Sequence, residues 1–332
     1  MIISRTPFRV SLFGGGTDYP PWYKQHGGAV IGTAINKYCY ITVRDLPPFF
    51  EHKHRIVYSK VEVPNDIESI QHPSVKAVLS EMNVTTGIEI QHQADLPARS
   101  GLGSSSSFTV GLLNALRAKE GKISSPQFLT EESIRIEQDV IKENVGSQDQ
   151  CWAAHGGTNF IEFSSSGKIN VTPLIMQKNT VKNLDSHIML FFTGISRIAS
   201  HIAEKKINNL SSKQQQLSTI LDMAYSARDV LQSLNCDMRD LGGMLKESWT
   251  LKKELADEIT NHEINEIYAQ AIDAGAYGGK LLGAGGGGFM MFLAPPEKHE
   301  QIRQRLNKLI HVDVKTGACG SKIVMYEPYG FY

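Results

Sequence analysis

The chain has 332 residues, enough for two domains and a cleft between them, and its 34 Lys and Arg balance 34 Asp and Glu. Zero formal charge removes any bulk electrostatic case for nucleic acid or an acidic membrane as partner, so phosphate binding must rest on local clusters. Cys39, Cys151, Cys236 and Cys319 form no Cys-x-x-Cys pair, and no apolar run approaches the roughly 18 residues of a membrane helix, which excludes a zinc knuckle and a spanning segment and points to a cytoplasmic protein.

In chain order, residues 1 to about 60 read as strands and turns. Ile2-Ile3, Phe8 to Phe13 and Ile35 to Val43 are rich in β-branched and aromatic residues, punctuated by Gly14-Gly15-Gly16 and Gly27-Gly28. A strand at Gly87 to His92 leads into a Pro97 loop. The helical spacing of Phe108, Leu112, Leu113 and Leu116 follows, ending near Gly121. A second helix is expected from about Thr130 to Glu143, running into a polar loop from Asn144 to Gln150. His187 to Thr193 reads as a strand, and Lys213 to Ala274 as almost wholly helical. The chain closes with a glycine turn (Gly283 to Gly288), a strand (Phe289 to Leu293), a helix (about Glu297 to Leu309) and a strand (Lys322 to Tyr326). Strands and helices without a βαβ period predict an α+β fold, and the composition shift near residue 185 divides it into 1–185 and 186–332.

The segment Pro97-Ala98-Arg99-Ser100-Gly101-Leu102-Gly103-Ser104-Ser105-Ser106-Ser107 carries the strongest chemical signal. Its glycines let successive N–H groups face one anion, and the helix that follows adds positive partial charge at its start. A serine-rich linker would need neither the internal leucine nor the flanking strand and helix. No Gly-x-x-x-x-Gly-Lys-Ser/Thr occurs. Gly283, Gly285 and Gly288 match Gly-x-Gly-x-x-Gly but lead into a strand rather than a helix, which argues against a dinucleotide fold. His52 and His54 sit in a charged run without a further ligand and read as a solvated loop.

Three segments in order, Thr6 to Tyr19 (Thr-Pro-Phe-Arg-Val-Ser-Leu-Phe-Gly-Gly-Gly-Thr-Asp-Tyr), the Pro97 loop and Leu282 to Gly288, resemble the family of galactokinase, homoserine kinase, mevalonate kinase and phosphomevalonate kinase. The resemblance covers nearly the whole chain. It implies two α+β lobes, the first like a ribosomal-protein domain and the second ferredoxin-like, with ATP and a sugar between them. Gly-Gly-Gly-Thr-Asp followed by Tyr-Pro-Pro-Trp-Tyr, together with Phe192 to Arg197, is similar to kinases of D-glycero-D-manno-heptose 7-phosphate. That similarity implies a sugar-phosphate 1-kinase serving bacterial surface polysaccharide.

The resemblance also implies residue roles. Asp149 would be the base or hydroxyl-orienting carboxylate, with Arg9 beside it. Ser105 and Glu137 would hold Mg²⁺, with Ser104 the second choice of serine and Glu132 and Glu143 the neighbouring competitors of Glu137. Pro97, Arg99, Ser100, Gly101, Leu102, Gly103, Ser104, Ser105 and Ser106 would cradle ATP. Asp18, Gly15, Gly16, Thr17, Gly285 and Gly286 would meet the sugar. Galactokinases carry Gly-Glu-His where this chain has Gly14-Gly15-Gly16, so the sugar side of the site is opened. Arg197, Arg5 and Lys24 are the cations expected to accept a second phosphate. The expected partners are thus ATP and a small sugar phosphate, on a monomer or homodimer. The rival readings are a kinase of an unphosphorylated sugar such as fucose, a decarboxylase of the same fold, and a non-catalytic sugar sensor.

Overall fold

A computed structural model describes residues 1–195, 203–205, 207 and 209–328. Two sheets organise it. The larger has eight strands in the order β12-β1-β2-β5-β3-β4, with β6 and β7 added on the other end of β2. The smaller is antiparallel, ordered β11-β8-β10-β9. This is an α+β molecule of two lobes.

The first lobe opens with β1 (Ile2–Phe13), one strand where the sequence suggested two pieces. Pro7 cannot donate to a ladder, and the pairing to β2 (Gly28–Asp45) shifts register between Pro7 and Phe8 rather than stopping. β2 starts seven residues before the expected Ile35, because its first eight residues are buried on both faces and show no alternation. A short helix α1 (Pro20–His26) connects them. β3 (His54–Val57) and β4 (Val61–Glu62) extend the sheet, and His54 is buried in β3 rather than solvated.

α2 (Pro73–Glu81) precedes β5 (Ile88–Ala94), and the Pro97 loop then leads into α3 (Ser104–Lys119), which packs on β1 and β2. Strand, loop and helix stand as the sequence indicated. Beyond it, the expected helix from Thr130 to Glu143 is α4 (Pro126–Arg135) followed by one π-helical turn, Ile136–Val140. The polar loop ends earlier than expected, at α5 (Asp149–His155). Cys151, Trp152, Ala153 and Ala154 are buried, and the Trp152 ring lies so close to Gly32 of β2 that a Cβ there would sit 2.7 Å from it. That contact fixes α5, and with it Asp149, against the sheet. β6 (Thr158–Phe163), β7 (Ile169–Pro173) and α6 (Lys178–His187) complete this region.

The second lobe contains β8 (Ile188–Phe192), α7 (Gln214–Gln232), α8 (Met238–Lys253), α9 (His262–Asp273), β9 (Gly278–Leu281), β10 (Phe289–Leu293), α10 (His299–Arg305) and β11 (Ile310–Val312). The helical expectation for 213–274 describes three helices, and α8 packs on β9. The last strand, β12 (Lys322–Tyr326), returns to the first sheet and pairs with β1. We propose the division near residue 185 as the lobe boundary, with β12 as the exception to it. Among the described residues no helix is long and apolar enough to cross a membrane.

His72, just before α2, stacks on Phe108 of α3 at 4.5 Å, and His92 meets the same ring edge-on at 5.1 Å. Burial, then the neighbouring His92, pushes His72 down to about 4. A histidine kept neutral by the fold but charged in the unfolded chain costs stability as pH falls from its ordinary 6.5 toward 4. Replacing His72→Phe keeps the stack and should recover on the order of 1 kcal/mol at pH 5 relative to pH 7. Denaturant melts at the two pH values read this directly.

Candidate active site

The three sequence segments converge on one cavity of about 340 Å³. Arg9, on β1, is 4% exposed and makes the central contacts. Its Nε and Nη2 donate to Oδ1 and Oδ2 of Asp149 at 2.8 and 2.7 Å, and its Nη1 donates to the Gly101 carbonyl at 2.6 Å. Its backbone N–H donates to the Leu102 carbonyl at 3.1 Å. One residue thus fixes both the carboxylate and the phosphate-type loop. Such a two-pronged guanidinium–carboxylate pair fixes the plane of the Asp149 carboxylate.

The loop itself is shaped by close backbone approach. Gly103 caps α3 in the left-handed region at φ 76°, with no side-chain cap, so the first N–H groups of α3 are presented at the cavity. A Cβ on Gly101 would lie 2.5 Å from the Leu282 carbonyl, and one on Gly283 would lie 2.6 Å from the Gly101 Cα. The Ser100 carbonyl accepts from the Phe289 N–H at 3.1 Å. The glycine turn of the second lobe is therefore seated on the loop of the first.

Arg99, Gly101, Gly103, Ser104, Ser105 and Ser106 line the cavity. Pro97, Ser100 and Leu102 do not: Leu102 and Ser100 are buried behind the loop, and Pro97 is exposed beside it. The hydroxyl bonded to Glu137 is that of Ser106, while the expected metal-holding Ser105 lines the cavity. Ser105 is exposed at the second position of α3, whereas Ser106, 3% exposed, donates to Glu137 Oε2 at 2.9 Å. Successive helical residues turn by about 100°, so only one serine of the run faces Glu137.

Glu137 lies in the π turn and is fully buried. Gln150 also donates to Oε2, while Oε1 is buried with no hydrogen-bond partner. Burial pushes this carboxyl up to about 7. A buried carboxylate with one orphaned oxygen, beside a hydroxyl at a helix start, fits a divalent cation. Among the described residues no group of three or more His, Cys, Asp or Glu could hold a metal, so phosphate oxygens and water would have to complete the coordination shell. Ser106→Ala should therefore raise the divalent-cation requirement about tenfold, and Ser105→Ala by less than about threefold. Activity titrated against Mg²⁺ distinguishes them.

On the opposite wall, Asp18 is buried, accepts from the Gly16 N–H at 2.9 Å and from Gln148 Nε2 at 2.8 Å, and lines the cavity with Gly15 and Gly16. Burial, with Asp18 and Asp149 beside it, pushes the Tyr19 phenol up, so it stays protonated. Thr17 does not reach the cavity; its hydroxyl is used by the carbonyls of Gly14 and Ala29 and the N–H of Ala29. Gly285 and Gly286 are packed on the turn at Ile259, and Gly283 and Ala284 line the cavity instead. Arg5 lies over the Tyr38 ring and Lys24 is exposed on α1, and neither lines the cavity. Arg197 lies outside the described residues.

Sequence reasoning missed Gln148, Lys252 and Lys280, all of which line the cavity. Lys280 had a signal: a lysine within the short apolar run that becomes β9. Lys252 had none, since a lysine near a helix end is ordinarily solvated.

The chain has counterparts among known proteins. The family models for the GHMP kinases N terminal domain and the GHMP kinases C terminal match residues 70–157 and 231–311. A D-glycero-alpha-D-manno-heptose 7-phosphate kinase of Campylobacter jejuni is 30% identical over 321 residues, 92% of this chain and 93% of that protein. The chain belongs to the GHMP kinase family. A bifunctional fucokinase/GDP-fucose pyrophosphorylase of Arabidopsis thaliana is 27% identical over 93% of this chain, which spans 31% of the plant protein. A solved D-glycero-D-manno-heptose 1-phosphate kinase from Bacteroides thetaiotaomicron superposes with a TM-score of 0.80 at 24% identity, covering 98% of this chain and 99% of that one, which shows the shared fold.

Proposed function

We propose that this GHMP kinase is an ATP-dependent sugar 1-kinase whose acceptor is D-glycero-D-manno-heptose 7-phosphate, acting in the cytoplasm. The observation that carries the reading is the Arg9–Asp149 fork, which faces the start of α3 on one side and Asp18 with the open Gly15–Gly16 turn on the other. The Campylobacter relative supports the choice of sugar.

In this reading the N–H groups at the start of α3 and the Pro97 loop hold the ATP phosphates. Ser106 and Glu137 would hold Mg²⁺, which supplies charge neutralisation on those phosphates. Asp18 accepts hydrogen bonds from sugar hydroxyls and sets the ring's orientation. Asp149 accepts from the anomeric hydroxyl. As the new O–P bond forms and the bond to the ADP leaving group breaks, the hydroxyl proton passes to Asp149. A carboxylate held in one plane by an arginine fork suits a loose transition state that asks mainly for alignment. Arg9 spreads positive charge toward the transferring group. Replacing it by lysine removes the two-pronged contact, so Arg9→Lys should lower kcat about 100-fold with a smaller change in KM for ATP.

Incubation with ATP, Mg²⁺ and a panel of sugars and sugar phosphates, read by phosphorus NMR, should give the 1,7-bisphosphate. Turnover of free sugars alone would favour the fucose-type reading, which the plant relative supports. Gly15 offers a second check. A Cβ there meets only Ser11 Oγ at 3.7 Å and Gln148 Nε2 at 3.9 Å, so a side chain is tolerated by the backbone and projects into the sugar side. Gly15→Glu should keep its melting temperature yet lose about tenfold or more in kcat/KM on the phosphorylated sugar, through bulk and like-charge repulsion.

A further inference from the structure

Glu137 is fully buried, and the glutamate that lines the cavity beside the serines of α3 is Glu143. Glu143 is half-buried, and the backbone places it with care. The chain turns back at Lys142, just past the π turn, with a φ of 61° in the left-handed region where glycine is the usual occupant. A lysine there carries backbone strain, which persists only where the surroundings impose it. The turn is closed by the Glu143 N–H, which donates to the Glu137 carbonyl at 2.8 Å. Gln138 Nε2 holds the stretch that follows by donating to the Val145 carbonyl at 3.1 Å. Glu143 is thereby fixed beside the turn that carries Glu137.

The protein itself gives this carboxylate little to hold. Among the described residues its oxygens make no ion pair or hydrogen bond, and Arg99 is the nearby cation that favours its charge. The Glu137 side chain is close enough for the two carboxylates to repel one another. Ser104, Ser105 and Ser106 line the same cavity, where the uncapped start of α3 invites an anion. A carboxylate facing a bound triphosphate would repel it. Two carboxylates and a polyphosphate can share one space only with a cation among them. Glu137 Oε1, buried with no hydrogen-bond partner, is an oxygen left over for such a cation.

We infer that Glu143 is a second carboxylate of the divalent-cation site, holding the cation from the cavity side while Glu137 holds it from the interior. The inference rests on the proposed cation-assisted transfer from ATP, and it is independent of which sugar is the acceptor. With the Ser106 hydroxyl the donors are all oxygen, a hard set that suits Mg²⁺ or Mn²⁺. Two carboxylates match the two charges of the cation before any phosphate arrives. The site should therefore take up the cation without nucleotide, whereas one carboxylate and a hydroxyl would depend on the nucleotide to bring it.

The test compares full-length wild-type enzyme with Glu143→Gln and Glu143→Asp. Mn²⁺ binding is read by electron paramagnetic resonance, with and without ADP, and activity is titrated against Mg²⁺. Glu143→Gln should weaken Mn²⁺ binding about tenfold and raise the Mg²⁺ requirement in proportion, with KM for the sugar little changed. Glu143→Asp keeps the charge and should recover part of both losses. If the glutamine variant does not fold, Glu143→Ala carries the same expectation. Unchanged Mn²⁺ binding in the variants overturns the inference. A raised sugar KM at unchanged Mn²⁺ binding would place Glu143 on the sugar, and weaker ADP binding in the absence of metal alone would make it a brace for Arg99; either result overturns it too. A wild-type enzyme that turns over without a divalent cation would instead sink the proposed cation-assisted transfer, and this inference with it. A wild-type requirement for the cation, with variants that bind it as tightly, would sink the inference alone.

Discussion

The active-site half of this molecule depends on where one guanidinium is put. Arg9 gives its backbone N–H to Leu102, one side-chain nitrogen to Gly101 and the other two to Asp149, so the strand β1, the phosphate-type loop and the start of α5 are set by a single residue. The arrangement is held from several directions. Gly103 leaves room beside the fork, since a Cβ there would come within 3.3 Å of both Arg9 and Asp149. Trp152 presses α5 onto Gly32, so Asp149 cannot drift without moving a buried indole. Charge-assisted bonds of this kind matter most where water is largely excluded, and the Arg9 side chain is nearly so.

How much of this was legible in the sequence depends on whether the signal was local. The strand, loop and helix around Pro97 to Ser107 were readable because glycine, serine and an apolar helical period each carry their own message. The three helices between 213 and 274 were readable for the same reason. α5 was hidden because its polar opening, Asp149-Gln150, continues the preceding loop, and its apolar half spans only one turn. The serine that meets Glu137 was a matter of helical phase. The sequence reading favoured Ser105 and then Ser104, and only the folded contact with the π turn singles out Ser106 as the partner of Glu137. Lys252 was invisible because the carbonyls it donates to, those of Leu281 and Gly283, lie about thirty residues further along the chain.

The cavity is a shared product of the two lobes. The first supplies the Pro97 loop, Arg9, Asp149 and Asp18, and the second supplies Gly283, Ala284, Lys252 and Lys280. Where the Pro97 loop meets the glycine turn, their contact is backbone on backbone: Gly101 against Gly283, and Ser100 against Gly288 and Phe289. Glycines on both sides let this loop and turn meet without side chains between them. A change in one lobe's turn is therefore passed to the other as a displacement of main chain, which is stiffer than side-chain packing.

β12 adds a constraint of a different kind. It lies on the outer edge of β1, the strand that carries Arg9, while the sheet of the second lobe is built from β8 to β11 in between. The second lobe is accordingly moored to the first at both of its chain ends, like a handle fixed at two points. A lobe attached by one linker can swing freely; one attached twice is confined to rocking about the line joining its moorings. The strand bearing the central arginine is thereby one of the places at which the two lobes are tied together.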